Sequence, residues 1–195
     1  MDLSTLQTVT QFTLRQKITP MVNRYVVAVA NPDGSEGEQV GFAEQKRMKL
    51  KEEVQVFSDE SRSSLLFSFK ARQVFDLGAT YDVTAADGTV LGTFRKLAGK
   101  SMLRSTWELE QQGQTAIGQE RSPAVAIIRR VWNMITDIPF FIPYHFDFTT
   151  PTGRIMSVDK TTNFRDRYLI EIHEQMLDRR LAIAMAVALD ALQSR

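Results

Sequence analysis

The chain has 195 residues, which suits one large domain or two very small ones. Its 24 basic and 23 acidic side chains give a formal charge of +1, so we expect no nucleic-acid partner. The absence of cysteine excludes disulfides, thiol catalysis and thiolate-ligated metals, and two histidines are too few for a histidine-rich metal site. We therefore expect no metal and no cofactor.

The N-terminal segment, residues 1–11, is polar and lacks the basic and apolar regions of a signal peptide. The longest uncharged apolar run, residues 181–189, is far shorter than the roughly 20 residues that span a bilayer. The sequence therefore predicts a cytoplasmic location, with peripheral membrane contact left open.

Short strand patterns separated by turn signals fill most of the chain. Apolar and polar residues alternate from Phe12, and the apolar run from Tyr25 to Ala30 closes with an Asn-Pro-Asp-Gly turn. Further hairpins are predicted around Gly88, Gly113 and residues 151–153. Since no helices alternate with the strands, the pattern favours an antiparallel meander of about a dozen strands.

Two segments read as helices. Ser122 and Pro123 are typical of a helix start and open an amphipathic helix that ends before Pro139. The second helix, residues 175–193, is apolar on every side at its centre and must be covered all round.

Only the strands can cover that second helix. We therefore predict a single domain, residues 1–195, of mainly β class: a closed antiparallel barrel of about twelve strands around a central hydrophobic C-terminal helix, plus one short amphipathic helix. The small side chains at alternate positions keep the central helix slim: Ala182, Ala184, Ala186 and Ala188.

Several stretches in order resemble the tubby C-terminal-like superfamily, in its branch of bacterial and plant LURP-one-related, scramblase-like proteins. They are Leu14-Arg-Gln-Lys-Ile-Thr19, Asn23-Arg-Tyr25, Gly78-Ala-Thr-Tyr-Asp-Val83, Gly92-Thr-Phe-Arg-Lys96, Leu103-Arg-Ser-Thr-Trp107, Leu177-Asp-Arg-Arg-Leu181 and Leu189-Asp-Ala-Leu192. The resemblance extends over nearly the whole chain and also implies a twelve-stranded barrel around a helix.

The functions in this superfamily differ. Tubby proteins bind phosphoinositide headgroups through basic side chains on the outer barrel surface, and scramblases are associated with lipid translocation, calcium and a C-terminal membrane helix. This chain departs from the scramblase pattern because it has no cysteine and ends after the barrel helix. We carry no headgroup-binding residue of the tubby proteins over to this sequence.

Two basic groups are candidate sites for anionic lipid. One follows a strand glycine and comprises Arg47, Lys49 and Lys51; the alternative is a solvated strand edge protected by charge, since Glu52 and Glu53 follow. The other lies in and beside a central hairpin loop and has no acidic neighbour until Glu108; its alternative is a hydrated loop. Its members are Arg95, Lys96, Lys100 and Arg104.

An apolar stretch bracketed by Pro139 and Pro143 contains Phe140, Phe141 and Ile142. It suits a membrane-dipping or partner-binding segment, because exposed apolar patches mark interaction sites. The alternative is a plug at one end of the barrel.

Catalytic signals are weak. His145 and Asp147 share a strand face and could form a base with its orienting carboxylate, but any alternating strand produces such pairs. No phosphate-binding loop, dinucleotide glycine pattern or nucleophile elbow occurs. We therefore expect no enzyme and no catalytic residue.

The leading hypothesis is a non-enzymatic module that binds anionic phospholipid or phosphoinositide headgroups at a membrane surface. The alternative is a soluble scaffold for a protein partner, without lipid.

Overall fold

A computed structural model describes residues 1–17, 19, 22–46, 53–73, 78–97, 105–122, 145–161 and 167–193. Its helices and strands follow one another along the chain as α1 (Leu3–Thr8), β1 (Gln11–Lys17), β2 (Val22–Ala30), β3 (Glu36–Lys46), β4 (Glu53–Phe57), β5 (Leu65–Ala71), β6 (Thr80–Ala85), β7 (Val90–Lys96), β8 (Thr106–Gln111), β9 (Gln114–Glu120), β10 (His145–Thr150), β11 (Gly153–Lys160), β12 (Arg167–Ile172) and α2 (Arg179–Gln193).

The strands form one closed antiparallel barrel. Each strand pairs with the next along the chain, and β1 pairs with β12 to close the sheet, with Phe12 opposite Ile170 and Leu14 opposite Tyr168. Helix α2 contacts β2, β5, β7 and β12, which lie on different sides of the barrel, so it runs through the interior. The predicted barrel of about twelve strands around the C-terminal helix is confirmed.

The inner face of the barrel is apolar because side chains alternate along each strand. Phe69, Tyr81, Phe94 and Trp107 form a contiguous aromatic group on β5 to β8, with the Tyr81 and Phe94 rings stacked at 5.1 Å. Against this wall packs α2, whose residues 181–189 are at most 3% exposed. Each Leu, Ile, Val or Met side chain buried there contributes about 1.5–3 kcal/mol.

Of the two helices predicted from the sequence, the second lies within the described residues and the first does not. The amphipathic helix predicted from Ser122, ending before Pro139, falls almost entirely on residues 123–138, which lie outside the described residues. Helix α2 begins at Arg179 rather than at residue 175, because the Asp178 carboxylate accepts the N–H of Arg180 at 2.9 Å and so caps the helix there. Helix α1 was not predicted; Asp2 caps it by accepting the Thr5 N–H at 2.8 Å, and it buries Leu6.

The start of α2 is fixed by two glutamines. Gln7 accepts the Arg179 N–H at 3.0 Å and donates to Asp178, while Gln111 at the end of β8 accepts the Asp178 N–H at 2.8 Å. Burial raises the pKa of Asp178, but hydrogen bonds from Arg180 and Gln7 outweigh that effect and lower the pKa overall.

Arg179 is buried with only carbonyl partners. Its guanidinium group donates to four backbone oxygens, of Val9, Glu174, Gln175 and Leu177, at 2.7 to 3.3 Å. Burial lowers its pKa, and the charges of Asp178 and Glu174 oppose that shift. Arg179 therefore joins the segment before β1 to the turn that leads into the central helix.

We predict that Arg179→Met lowers the free energy of unfolding by about 3 kcal/mol or more, because it leaves buried carbonyl groups without donors. Arg179→Lys should recover only part of the lost free energy of unfolding, since an ammonium group lacks the planar arrangement of N–H donors that a guanidinium group has. Chemical denaturation measures both. The control is Arg95→Met, whose surface pair with Glu108 is screened by solvent and contributes little to stability; equal losses in Arg179→Met and this control would contradict the prediction.

Two glycines on inner strand positions mark close approaches. A Cβ on Gly92 would clash with the Glu110 carbonyl oxygen and lie 2.7 Å from Leu181 Cδ2 of the central helix. A Cβ on Gly118 would overlap the ring of Phe148. At Gly41, by contrast, the nearest atoms would lie at an ordinary 3.5 Å.

We predict that Gly92→Ala and Gly118→Ala each destabilise the barrel by about 1–3 kcal/mol, the usual cost of overpacking. Gly41→Ala should stay within about 1 kcal/mol of the parent chain. Thermal unfolding of the three variants tests this, and a Gly41→Ala variant that loses as much stability as the other two would show that the interior packs differently.

Candidate functional site

The meander gives the barrel two unlike ends. The end that we name the turn end holds the connections at residues 31–35, 58–64, 86–89, 112–113, 151–152 and 173–178. The opposite end, which we name the loop end, holds the connections at residues 18–21, 47–52, 72–79, 97–105, 121–144 and 161–166. Successive antiparallel strands alternate in direction, so connections alternate between the ends.

The three predicted segments all fall, in the sequence, between strands that end at the loop end. Arg47, Lys49 and Lys51 belong to the connection after β3, and Lys100 and Arg104 to the connection after β7. The apolar stretch belongs to the connection after β9 and comprises Phe140, Phe141 and Ile142. All of these residues lie outside the described residues, but the strands that flank them all open at the loop end.

Charge divides between the two ends. The turn-end connections carry mainly acids, namely Asp33, Asp59, Glu60, Asp87, Glu174 and Asp178, with one base, Arg62. The loop-end connections carry the acids Glu52, Asp76, Asp137 and Asp166 against a larger set of bases: Arg47, Lys49, Lys51, Arg72, Lys100, Arg104, Arg121, Arg129, Arg130 and Arg165. The turn end of the described structure is therefore acidic, whereas the residues that the sequence places between strands ending at the loop end are mainly basic.

Arg95 and Lys96, at the end of β7, face opposite sides of the sheet. Arg95 points outward and pairs with Glu108 at 2.7 Å, because the register of β7 and β8 sets the two residues directly opposite each other. The hydrogen bond with Glu108 raises the pKa of Arg95. Lys96 points inward, with its Nζ 5.9 Å from the ring centre of Trp107. The structure therefore separates these two members of the predicted basic group.

Polar groups that sequence reasoning missed line the inner wall near Lys96. The side chains of Ser105 and Trp107 are buried, and within the described structure Ser105 Oγ and Trp107 Nε1 have no hydrogen-bond partner. Glu120, 1% exposed, lies on the neighbouring strand β9. Buried donors without partners are uncommon, so this wall can donate hydrogen bonds to an oxygen acceptor. The one sign of this polar wall in the sequence is that the alternation of side chains along the strand turns Trp107 toward the barrel interior.

The end of the central helix is tied to the same end of the barrel. Asp190 accepts hydrogen bonds from the hydroxyl groups of Tyr25, at 2.8 Å, and Tyr168. Lys160 lies 5.7 Å from the ring centre of Tyr168, directly opposite it in the β11–β12 register. Asp190 thus has a structural role, because it fixes the last turns of α2 to β2 and β12.

The outer face gives no support for the catalytic pair. His145 Nδ1 lies 3.0 Å from Asp159 Oδ1, while Asp147 accepts hydrogen bonds from Arg121, at 2.8 and 2.9 Å, and from Arg154. The bond from Arg121 is the largest cause of the lowered pKa of Asp147. His145 is therefore oriented by Asp159 rather than by Asp147, and this group reads as a surface ion-pair network.

Among the described residues, no group of three or more histidine, aspartate or glutamate side chains could hold a metal ion. In the same part of the chain, no helix has both the length and the apolar composition to cross a bilayer.

Comparison with known proteins places the chain in a family. A search of the curated proteins finds no match. A family model described as LURP-one-related matches residues 40–190, which take in β4 to β12, most of β3 and most of α2. The twelve-stranded barrel around a helix is the fold that the resemblance to the tubby-like superfamily implied. The match covers well over half of the sequence, and the chain therefore belongs to the LURP-one-related family.

Proposed function

We propose that the chain is a non-enzymatic binding module that associates peripherally with anionic lipid or phosphoinositide headgroups. The observation that supports the proposal is the distribution of charge among the connections: the predicted basic segments fall, in the sequence, between strands that end at the loop end, whereas the turn-end connections carry acids. Each lysine or arginine near an anionic bilayer contributes about 1 kcal/mol of attraction. The loop end thus faces the membrane.

The opposite charge of the turn end supports an orientation as well as an affinity. An anionic surface attracts the loop end and repels the acids of the turn end, and both effects fade beyond a Debye length of about 8 Å at physiological salt. The protein therefore docks with its loop end toward the membrane and with the barrel axis perpendicular to the membrane plane. The apolar segment Phe140, Phe141 and Ile142 belongs to the same end and adds contact with the acyl boundary.

A soluble scaffold for a protein partner is the second candidate. It is favoured by the placement of Arg95 and Lys96, because the pairing of Arg95 with Glu108 and the inward direction of Lys96 remove two cations from the lipid-facing group. An apolar interface built on Phe140 and Phe141 would bind a protein with little sensitivity to salt, whereas lipid attraction through Lys49, Lys51, Lys100 and Arg104 depends on it.

Co-sedimentation with vesicles separates the two candidates. We predict binding to phosphatidylserine or phosphoinositide vesicles, none to neutral phosphatidylcholine, and weaker binding at physiological than at low salt. Lys49→Gln with Lys51→Gln, and Lys100→Gln with Arg104→Gln, should each reduce the affinity about 30-fold, which corresponds to about 2 kcal/mol for two cations.

The matched control is Arg154→Gln, which removes one cation at the start of β11, near the turn end, and should leave binding unchanged. Absence of binding to every anionic vesicle at low salt would refute the lipid proposal and leave the protein scaffold. A loss in the control that equals, per cation removed, the loss in the double variants would show that binding follows total charge rather than the loop end.

A further inference from the structure

A pocket lies at the turn end, the end of the barrel opposite the proposed lipid-binding end. It has a volume of about 110 Å³ and opens between the β8–β9 hairpin and the segment that leads into α2. Its apolar lining comes from Leu109 and Ala116, which face each other across the β8–β9 register, and from Ile155 and Leu177. The first two and Leu177 are at most 4% exposed, so this part of the wall belongs to the barrel core.

The mouth of the pocket is preformed. The Met176 N–H donates to Glu174 Oε1 at 3.1 Å, and the Met176 carbonyl oxygen accepts from Gln111 Nε2 at 2.8 Å, so β8 holds the backbone of this wall in place. The Met176 side chain is nevertheless 74% exposed. A flexible thioether on a fixed backbone can fold over an occupant without reshaping the site.

The polar part of the lining sets the charge of a ligand. Of the described residues that line the pocket, Glu174 alone is charged, and Gln112 and Gln114 add amide groups at the hairpin. The neighbouring turn between β6 and β7 carries Asp87, so the surroundings are acidic as well. An anion would be repelled at this mouth, and a cation would be attracted.

We propose that this turn-end pocket binds a small cationic amphiphile: an apolar body no larger than one aromatic ring, bearing an amine or guanidine group that pairs with Glu174. An apolar cavity of about 150 Å³ suffices for benzene in another protein, and this smaller pocket is open, so a ring or short alkyl group enters it with its polar end at the rim. The site is independent of the lipid proposal, since the two lie at opposite ends of the barrel.

The test is a titration of the ¹⁵N-labelled full chain, followed by amide chemical shifts, with three probes of one shape: 2-phenylethylamine, 2-phenylethanol and 3-phenylpropionate. We expect shifts confined to the amides of the β8–β9 turn, Ile155 and Met176. The amine should bind about 2- to 5-fold tighter than the alcohol, as a solvent-exposed ion pair provides, and the carboxylate should bind most weakly.

Glu174→Gln should abolish the advantage of the amine over the alcohol. The matched control Glu38→Gln changes a more exposed acid near the same barrel end, outside the pocket lining, and should preserve that advantage. Absence of shifts at the pocket residues with all three probes overturns the site. Equal affinity for the amine and the carboxylate overturns the assignment of a cationic ligand. Neither result depends on vesicle binding, so failure here and failure of the lipid proposal are distinguishable.

Discussion

The burial of an apolar helix is the constraint on which the rest of the structure depends. Residues 181–189 expose no polar face, so water must be excluded from every side of α2, and only a closed sheet does this with one layer. The alanines of the helix and the inner glycines of the wall, such as Gly92, let the two approach closely. Arg179 and Asp190 then fix the helix near its start and near its end.

The same constraint gives the barrel two different ends. Because the strands simply follow one another around the helix, every connection after an odd-numbered strand reaches the loop end and every connection after an even-numbered strand the turn end. The acids in the connections after even-numbered strands therefore meet at the turn end, beside its small apolar pocket, and the proposed lipid-binding end is the opposite one.

The sequence predicts the features that depend on local pattern. The barrel and its central helix follow from alternating strands and from a helix that is apolar on every side. The start of α2 could not be predicted, because the carbonyl groups of Gln175 and Leu177 are taken by the side chain of Arg179. The pairing of Arg95 with Glu108 requires the strand register, and the contact between Gln7 of α1 and Asp178 joins residues that are 171 positions apart in the sequence.

The central claim is that the barrel exists only around its helix, and removal of residues 179–195 tests it most directly. We predict that the shortened chain shows no cooperative thermal unfolding and no slow amide exchange in the strands, because the inner wall has lost its packing partner. Addition of the helix as a separate peptide should restore some strand protection. A shortened chain that unfolds cooperatively, with protected amides in β5 to β8, would contradict the account.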